Sequence, residues 1–410
     1  MAPVGSFESL MAAFQGGASS VYFGAGQLNM RSKSTNNFDL DDLKTIASLC
    51  KENGVKAYLT VNTVLYDKDL IMMRKIMDTA LAAQVDAVIV SDMAALIYAH
   101  QIGLSIHAST QLNISNTEAL RFFAQYCDVV VTARELSLRQ VKAIHQTIQE
   151  QDIRGPKGDL IRLEAFVHGA LCMAVSGKCY LSLHEQNSSA NRGACRQTCR
   201  KAYTVTEKES GYQLEIDNEY IMSPKDLCTV GFLDEVLDAG VRVLKIEGRA
   251  RSAEYVKTVV RSYRKAADAY VEGKYTPELS ETLTEELGTV FNRGFWDGYY
   301  LGRKLGEWSN QYGSQATKRK VYVAKALNYF SKLGVGEFVV ETGELQVGDE
   351  IIITGPTTGV LEQKIVEIRV DLQVVQQARK GERFSIPVSD KVRRADKIYK
   401  IVNASEVITQ

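Results

Sequence analysis

The chain has 410 residues, and its 49 basic and 49 acidic side chains cancel to a formal net charge of zero. An apolar share of 45% and a charged share of 24% are ordinary for a globular protein, and the length calls for two or three domains. No global positive field advertises nucleic acid, and apolar runs such as "AVIVSDMAALIYA" are interrupted and too short to cross a bilayer.

In chain order, "MAPVGSFESL" enters a short strand without the basic region and apolar core of an export signal. A cytoplasmic setting with reduced thiols is therefore expected. Apolar, β-branched runs follow at 19–24, 55–62, 86–92, 105–113, 128–135, 162–169 and 241–249. Each suits a strand buried on both faces. Amphipathic helical stretches separate them, such as 39–54, opening on acidic residues and closing at Gly54, and 136–150, opening at Ser137. Counting the strand at "APVG", this makes eight βα units, the pattern of an α/β (β/α)₈ TIM-like barrel over 1–275. A doubly wound sheet is the alternative, but "FGAGQLN" lacks the third glycine of a dinucleotide fingerprint.

Between the seventh and eighth strands, about 170–240, lies a cysteine-rich insertion at the rim where barrel sites are built. Residues 276–317 are expected to form a helical linker. From 318 to 410 six short alternating runs with glycine turns predict a small C-terminal β-barrel.

Five of the seven cysteines fall in the insertion: Cys172, Cys179, Cys195, Cys199 and Cys228. Several soft thiolates favour an iron–sulfur cluster or zinc over a hard cation. Only Cys195 and Cys199 form a close knuckle pair, whereas structural zinc ordinarily uses two. Cys50 and Cys127, in a helix and before a strand, suit small buried apolar groups.

The stretches "EAFVHGALCMAVSGKCYLS", "NRGACRQTCRKAY", "MSPKDL" and "LKIEGR" closely resemble the signature of peptidase family U32, the collagenase-like family. The resemblance runs through the barrel into the C-terminal module. With "FNRGF" it is nearest the branch that hydroxylates the wobble uridine of tRNA to 5-hydroxyuridine. That resemblance implies prephenate as hydroxyl donor and co-substrate, tRNA as partner, no need for dioxygen, and a 4Fe–4S cluster on four cysteines. Cys172, Cys179 and Cys195 match cluster positions shared across the family; Cys199 is the favoured fourth ligand and Cys228 the alternative. Relatives that act as pairs of chains make a partner protein or a homo-oligomer an expectation.

The old peptidase label finds little chemical support. No G-x-S-x-G elbow and no H-E-x-x-H helix is present, and the partner of His184-Glu185 at position 188 is serine. A peptidase and a non-enzymatic RNA-binding protein are the competing readings. In a barrel, Asn62, Asp92, His107, Gln111, Asn113, Arg134, Glu135, Glu164, His168, Glu247 and Arg249 stand at strand ends facing one bowl. Arg31, Arg134 and Arg249 are candidates to clamp carboxylates, with Asn62, His107, Gln111 and Asn113 beside them as substrate-binding residues. Glu164, His168 and Glu247 are candidate proton carriers. Tyr180 and His184 could stack on a base or shield a cluster. Arg192, Arg196, Arg200 and Lys201, with the run at 318–320, offer cations to RNA phosphates; a plain solvated surface is the ordinary alternative.

Overall fold

Short β-branched runs alternate with amphipathic helices for 270 residues, and the computed structural model, which describes residues 1–33, 37–203, 222–302 and 306–406, shows what the alternation builds. Strands β1 (Ala2–Pro3), β2 (Ser20–Phe23), β3 (Lys56–Val61), β4 (Ala87–Val90), β5 (Ile106–Ala108), β6 (Val129–Val131) and β7 (Arg162–Ala170) lie side by side in chain order. Every neighbouring pair is parallel. The crossovers are α1 (Phe7–Gln15), α2 (Asp42–Glu52), α3 (Leu70–Ala82), α4 (Met93–Gln101), α5 (Thr117–Ala124) and α6 (Leu138–Glu150). The order never reverses, so the sheet has no switch point of the doubly wound kind.

Beyond β7 the cysteine segment runs through α7 (Leu181–Gln186), then β8 (Asp226–Cys228), α8 (Leu233–Asp238) and β9 (Val241–Ile246). β9 pairs in parallel with β7, whereas β8 pairs antiparallel with its far end, Cys228 opposite His168. On its other side β9 reaches the first strand, where the Ile246 amide donates to Met1 O at 3.2 Å. Helices α9 (Ala253–Val271) and α10 (Pro277–Gly288) follow. The segment expected as a helical linker is helical only to Gly288; β10 (Phe295–Trp296) then pairs in parallel with β8.

Local chemistry explains the helix ends. Ser6 and Ser137 open α1 and α6 with capping boxes, each closed by the side chain three residues on. In α2 the acidic opening works differently: Asp41 makes no capping bond, and Asp42 accepts from the Asp39 amide at 2.9 Å.

The C-terminal region is antiparallel. It comprises β11 (Lys318–Phe330), β12 (Val335–Val340), β13 (Glu344–Gln346), β14 (Glu350–Gly355), β15 (Gly359–Lys364), β16 (Ile368–Val370), β17 (Gln373–Val375), β18 (Gln377–Arg379), β19 (Arg383–Pro387) and β20 (Lys397–Asn403). Six strands were legible in the sequence and ten are present among the described residues, because three-residue strands are too short to show alternation. Phe338 and Phe384 stack at 5.6 Å in its core. Residues 204–221, within the expected insertion, and 407–410, within the expected C-terminal module, lie outside the described residues.

Candidate anion-binding and thiol-lined site

The C-terminal ends of the parallel strands open into one cavity of about 200 Å³. Its floor comes from Tyr22 on β2, Thr60 on β3, Asn62 just after it, and Phe166 on β7. Lys245 on β9 and Glu247 just past it are two residues apart, so an extended chain turns both to the same side. Among the described lining residues, Arg31, Arg134, Arg200, Arg249, Arg251 and Arg293 face a single carboxylate, Glu247.

Each charge has a traceable environment. Arg31 lies 3.0 Å from Glu247. Burial alone would raise the Glu247 carboxyl, but Arg31, then Arg134 and Arg249, outweigh it and hold it below the usual carboxylate range. Arg249 is 7% exposed and donates to neutral acceptors, Thr60 Oγ1 at 2.9 Å and Asn29 Oδ1 at 3.2 Å. Arg134 stacks on Phe166 at 4.0 Å, gives one long bond to Ala170 O at 3.4 Å, and leaves its buried Nε without a partner. A buried guanidinium without a carboxylate is costly unless an anion arrives. The cavity is therefore built for negative charge.

Amides form the neighbouring wall. Asn62 Oδ1 accepts from the Met30 amide at 3.2 Å, which leaves Nδ2 pointing at Ser109 Oγ and Gln111 Oε1, both at 3.3 Å. Gln111 lines the main cavity and, with Asn113, an adjoining one. Asn113 donates to Gln111 O and Ser176 O, both at 2.9 Å, and so ties the wall to the cysteine segment.

Cys172, Cys179, Cys195 and Cys199 all line the same cavity. Burial pushes the Cys179 thiol up and the Cys199 thiol up to about 11, with the neighbouring thiols adding to both. Cys228 stands apart: it is buried 3.9 Å from Tyr263 Oη and does not line the cavity. Among the described residues no three His, Cys, Asp or Glu side chains are gathered closely enough to hold a metal ion. The four thiols thus fit a thiolate-held group in donor type and in sharing one wall, while lying wider apart than a finished cage.

Several sequence candidates lie elsewhere. Glu164, fully buried, is the partner of Lys245, with Oε1 2.6 Å from Nζ, and His107 Nδ1 stands 3.5 Å from its other oxygen. Neither Glu164 nor His107 lines the cavity. His168 is also outside it, packed among Tyr255, Tyr263 and Phe295, and burial lowers its pKa to about 3. It is a neutral packing residue, not a proton carrier at the site. Asp92 caps α4 and accepts from Ala94 and Leu65 amides, and exposed Glu135 does not line the cavity.

The cations proposed for RNA divide. Arg192 is held by Asp69 at 2.8 Å and stacked on Tyr66 at 3.9 Å. Arg200 donates to Ser223 Oγ, Pro224 O and Leu171 O. Arg196, Lys201, His184 and Tyr180 are exposed on the cysteine segment, Tyr180 at 71%. The run at 318–320 is spent internally: Lys318 on Glu350, Arg319 on Glu406 O, and Lys320 on Glu254. Sequence reasoning missed Tyr22, Lys245, Arg251 and Arg293. Lys245 was signalled by its place two residues before Glu247, and Arg293 by its motif "FNRGF".

Parallel strand ends carrying arginines beneath a wall of thiols define an α/β protein with an arginine-rich, cysteine-lined cavity. The chain belongs to peptidase family U32, whose profile matches residues 5–310. It is 61% identical over 406 residues to a Porphyromonas gingivalis protein named "Collagenase", covering 99% of this chain and 98% of that one. It is 30% identical over 364 residues to the tRNA hydroxylation protein P1 of Bacillus subtilis, covering 87% and 83%. A 23S rRNA 5-hydroxycytidine synthase of Escherichia coli is 35% identical over 295 residues, 70% of this chain and 43% of that protein.

Proposed function

We propose that the chain is an RNA-modifying enzyme that hydroxylates the wobble uridine of tRNA to 5-hydroxyuridine without dioxygen, with prephenate as hydroxyl donor. The observation that carries this reading is the convergence of four thiols and a set of arginines on one cavity. The relatives named for tRNA and rRNA hydroxylation support it. In this reading the parallel strands close into a (β/α)₈ barrel with the cysteine segment inserted over its mouth. Cys172, Cys179, Cys195 and Cys199 would hold a 4Fe–4S cluster, or zinc in its place. Such a cluster would supply a redox-active or Lewis-acidic centre beside the substrate. Arg31, Arg134 and Arg249 bind the two carboxylates of the donor through charge-assisted bonds. Asn62 and Gln111 present amides suited to the edge of a base splayed from a single-stranded loop. Glu247, kept ionised by its arginines, is placed to accept a proton within the cavity. No described helix is long and apolar enough to cross a membrane, and a tRNA substrate places the work in the cytoplasm. Mass spectrometry of tRNA nucleosides from a deletion strain tests the activity: 5-hydroxyuridine and its derivatives should vanish, and their persistence overturns it. Visible absorbance after anaerobic purification separates iron–sulfur from zinc.

The relative named "Collagenase" favours a second reading, a peptidase. Peptide hydrolysis requires an activated nucleophile or a metal-held water with a base beside it. Among the described lining residues there is no histidine, and the thiols have no base partner. Incubation of the purified protein with collagen decides between the readings, since cleavage lost on Cys172→Ala would favour the peptidase.

A further inference from the structure

Three guanidinium groups on the cavity wall are left over once Arg31, Arg134 and Arg249 are assigned to the donor. Arg200 comes from the cysteine segment, Arg251 from the turn after β9, and Arg293 from the segment before β10. Arg293 and Arg251 pack on the same ring, Phe291, at 5.1 and 3.5 Å. Like charges sharing one aromatic support repel each other, and burial followed by Arg293 lowers the pKa of Arg251. The carboxylate in direct contact with them is Asp226, 3.2 Å from Arg293 and 2% exposed, while Glu247 acts on Arg251 from further off. Among the described residues Arg251 makes no side-chain hydrogen bond and no ion pair. A guanidinium stacked through its face keeps its donors free in its own plane, a geometry that matches tetrahedral oxyanions.

We propose that Arg200, Arg251 and Arg293 form a second oxyanion subsite that seats a phosphodiester of the RNA strand, apart from the arginines that clamp the dicarboxylate. The inference rests on the RNA-modifying reading and deepens it. A base can enter the cavity only while its backbone stays with the strand, so a phosphate clamp belongs on the same wall. Among the described carboxylates these three cations touch Asp226 alone, and Glu247 is already matched by Arg31, Arg134 and Arg249, which leaves an excess of positive charge on this wall.

Arg251→Ala is the informative variant, because this side chain is not part of the hydrogen-bonding framework. A labelled anticodon stem–loop RNA, titrated by fluorescence anisotropy over a range of salt, should bind the variant about tenfold more weakly. The slope of log affinity against log salt should fall by about 0.7, the contribution of one single-strand phosphate. Arg251→Lys should recover charge but not the fork, and so restore only part of the affinity. Inorganic phosphate should raise the melting temperature of the wild type more than that of Arg251→Ala, while stabilisation by prephenate is equal in both. Unchanged RNA affinity and slope in Arg251→Ala would overturn the proposal. So would loss of iron with RNA affinity intact, since the arginines would then balance the charge of the thiolate centre. Phosphate stabilisation lost in the variant, with no RNA bound by either protein, would overturn the RNA assignment and replace it with a free phosphate compound. Failure of the hydroxylase reading alone is distinguishable, because 5-hydroxyuridine would persist in the deletion strain whatever Arg251 does to binding.

Discussion

Lys245 shows how much one side chain can carry. Its ammonium is the close counter-ion of fully buried Glu164, and it lies 4.8 Å from the Tyr22 ring in the cavity. Lys245→Met would strand a buried carboxylate and should cost about 3–5 kcal/mol in urea unfolding, while adding Glu164→Gln should recover much of it. The pH dependence follows from the same pair. Burial alone would raise the Glu164 carboxyl, yet Lys245 and then His107 hold it down at about 2. A depressed carboxyl contributes stability above the unfolded value of about 4.3, and that contribution is lost as pH falls towards 2. Acid titration of wild type against Glu164→Gln should show the difference in that window. Under the iron–sulfur reading proposed above, Cys199→Ala should abolish iron binding while Cys228→Ala retains it, because Cys228 sits behind the wall beside Tyr263. Iron analysis of the two variants checks this. The sequence displayed the five cysteines plainly, but nothing in their spacing told which would turn away from the cavity.

At the scale of elements, one glycine lets the cysteine segment close on the loop beside it. Gly193 has φ of +82°, and a Cβ there would come within 2.4 Å of Asn29 O and 2.2 Å of Ser32 Oγ. Its carbonyl accepts from the Lys33 amide at 3.0 Å, which joins the thiol-bearing segment to the loop that carries Arg31. Gly193→Ala should cost about 1–3 kcal/mol in strain. Under the hydroxylase reading proposed above it should also raise KM for prephenate, since the two walls would separate. The strands and crossover helices were legible from period and apolar runs, since burial on both faces writes itself into the sequence. What was not legible was the use of individual polar residues. His168 stands near the end of β7 and Arg249 just after β9, yet one packs among aromatic rings and the other lines the cavity. That difference depends on the antiparallel β8, a pairing that sequence period does not encode.

Across the whole molecule, the C-terminal strands are not an appendage. Gln15 on α1 donates to Thr358 O and accepts from the Val360 amide, both at 2.9 Å. Lys257 donates to Val360 O at 2.8 Å, Arg261 pairs with Glu362 at 3.0 Å, and Ile352 and Val360 join the main apolar core. A shared core predicts a single thermal transition. The double change Gln15→Ala with Arg261→Ala should weaken the coupling enough for calorimetry to resolve two. The change of texture near Lys318 announced the second region, whereas its attachment surface, made by one glutamine, a few long cations and a few apolar side chains, left no pattern to read. The differing burial of the cysteines has a practical consequence. Burial raises the thiols of Cys50 and Cys127 to about 12 and that of Cys228 to about 11, so iodoacetamide at neutral pH should leave these three unlabelled in the native protein. Exposed Cys172 then remains the foremost target, and under the iron–sulfur reading proposed above its carbamidomethylation becomes a direct gauge of how much of a preparation lacks the cluster.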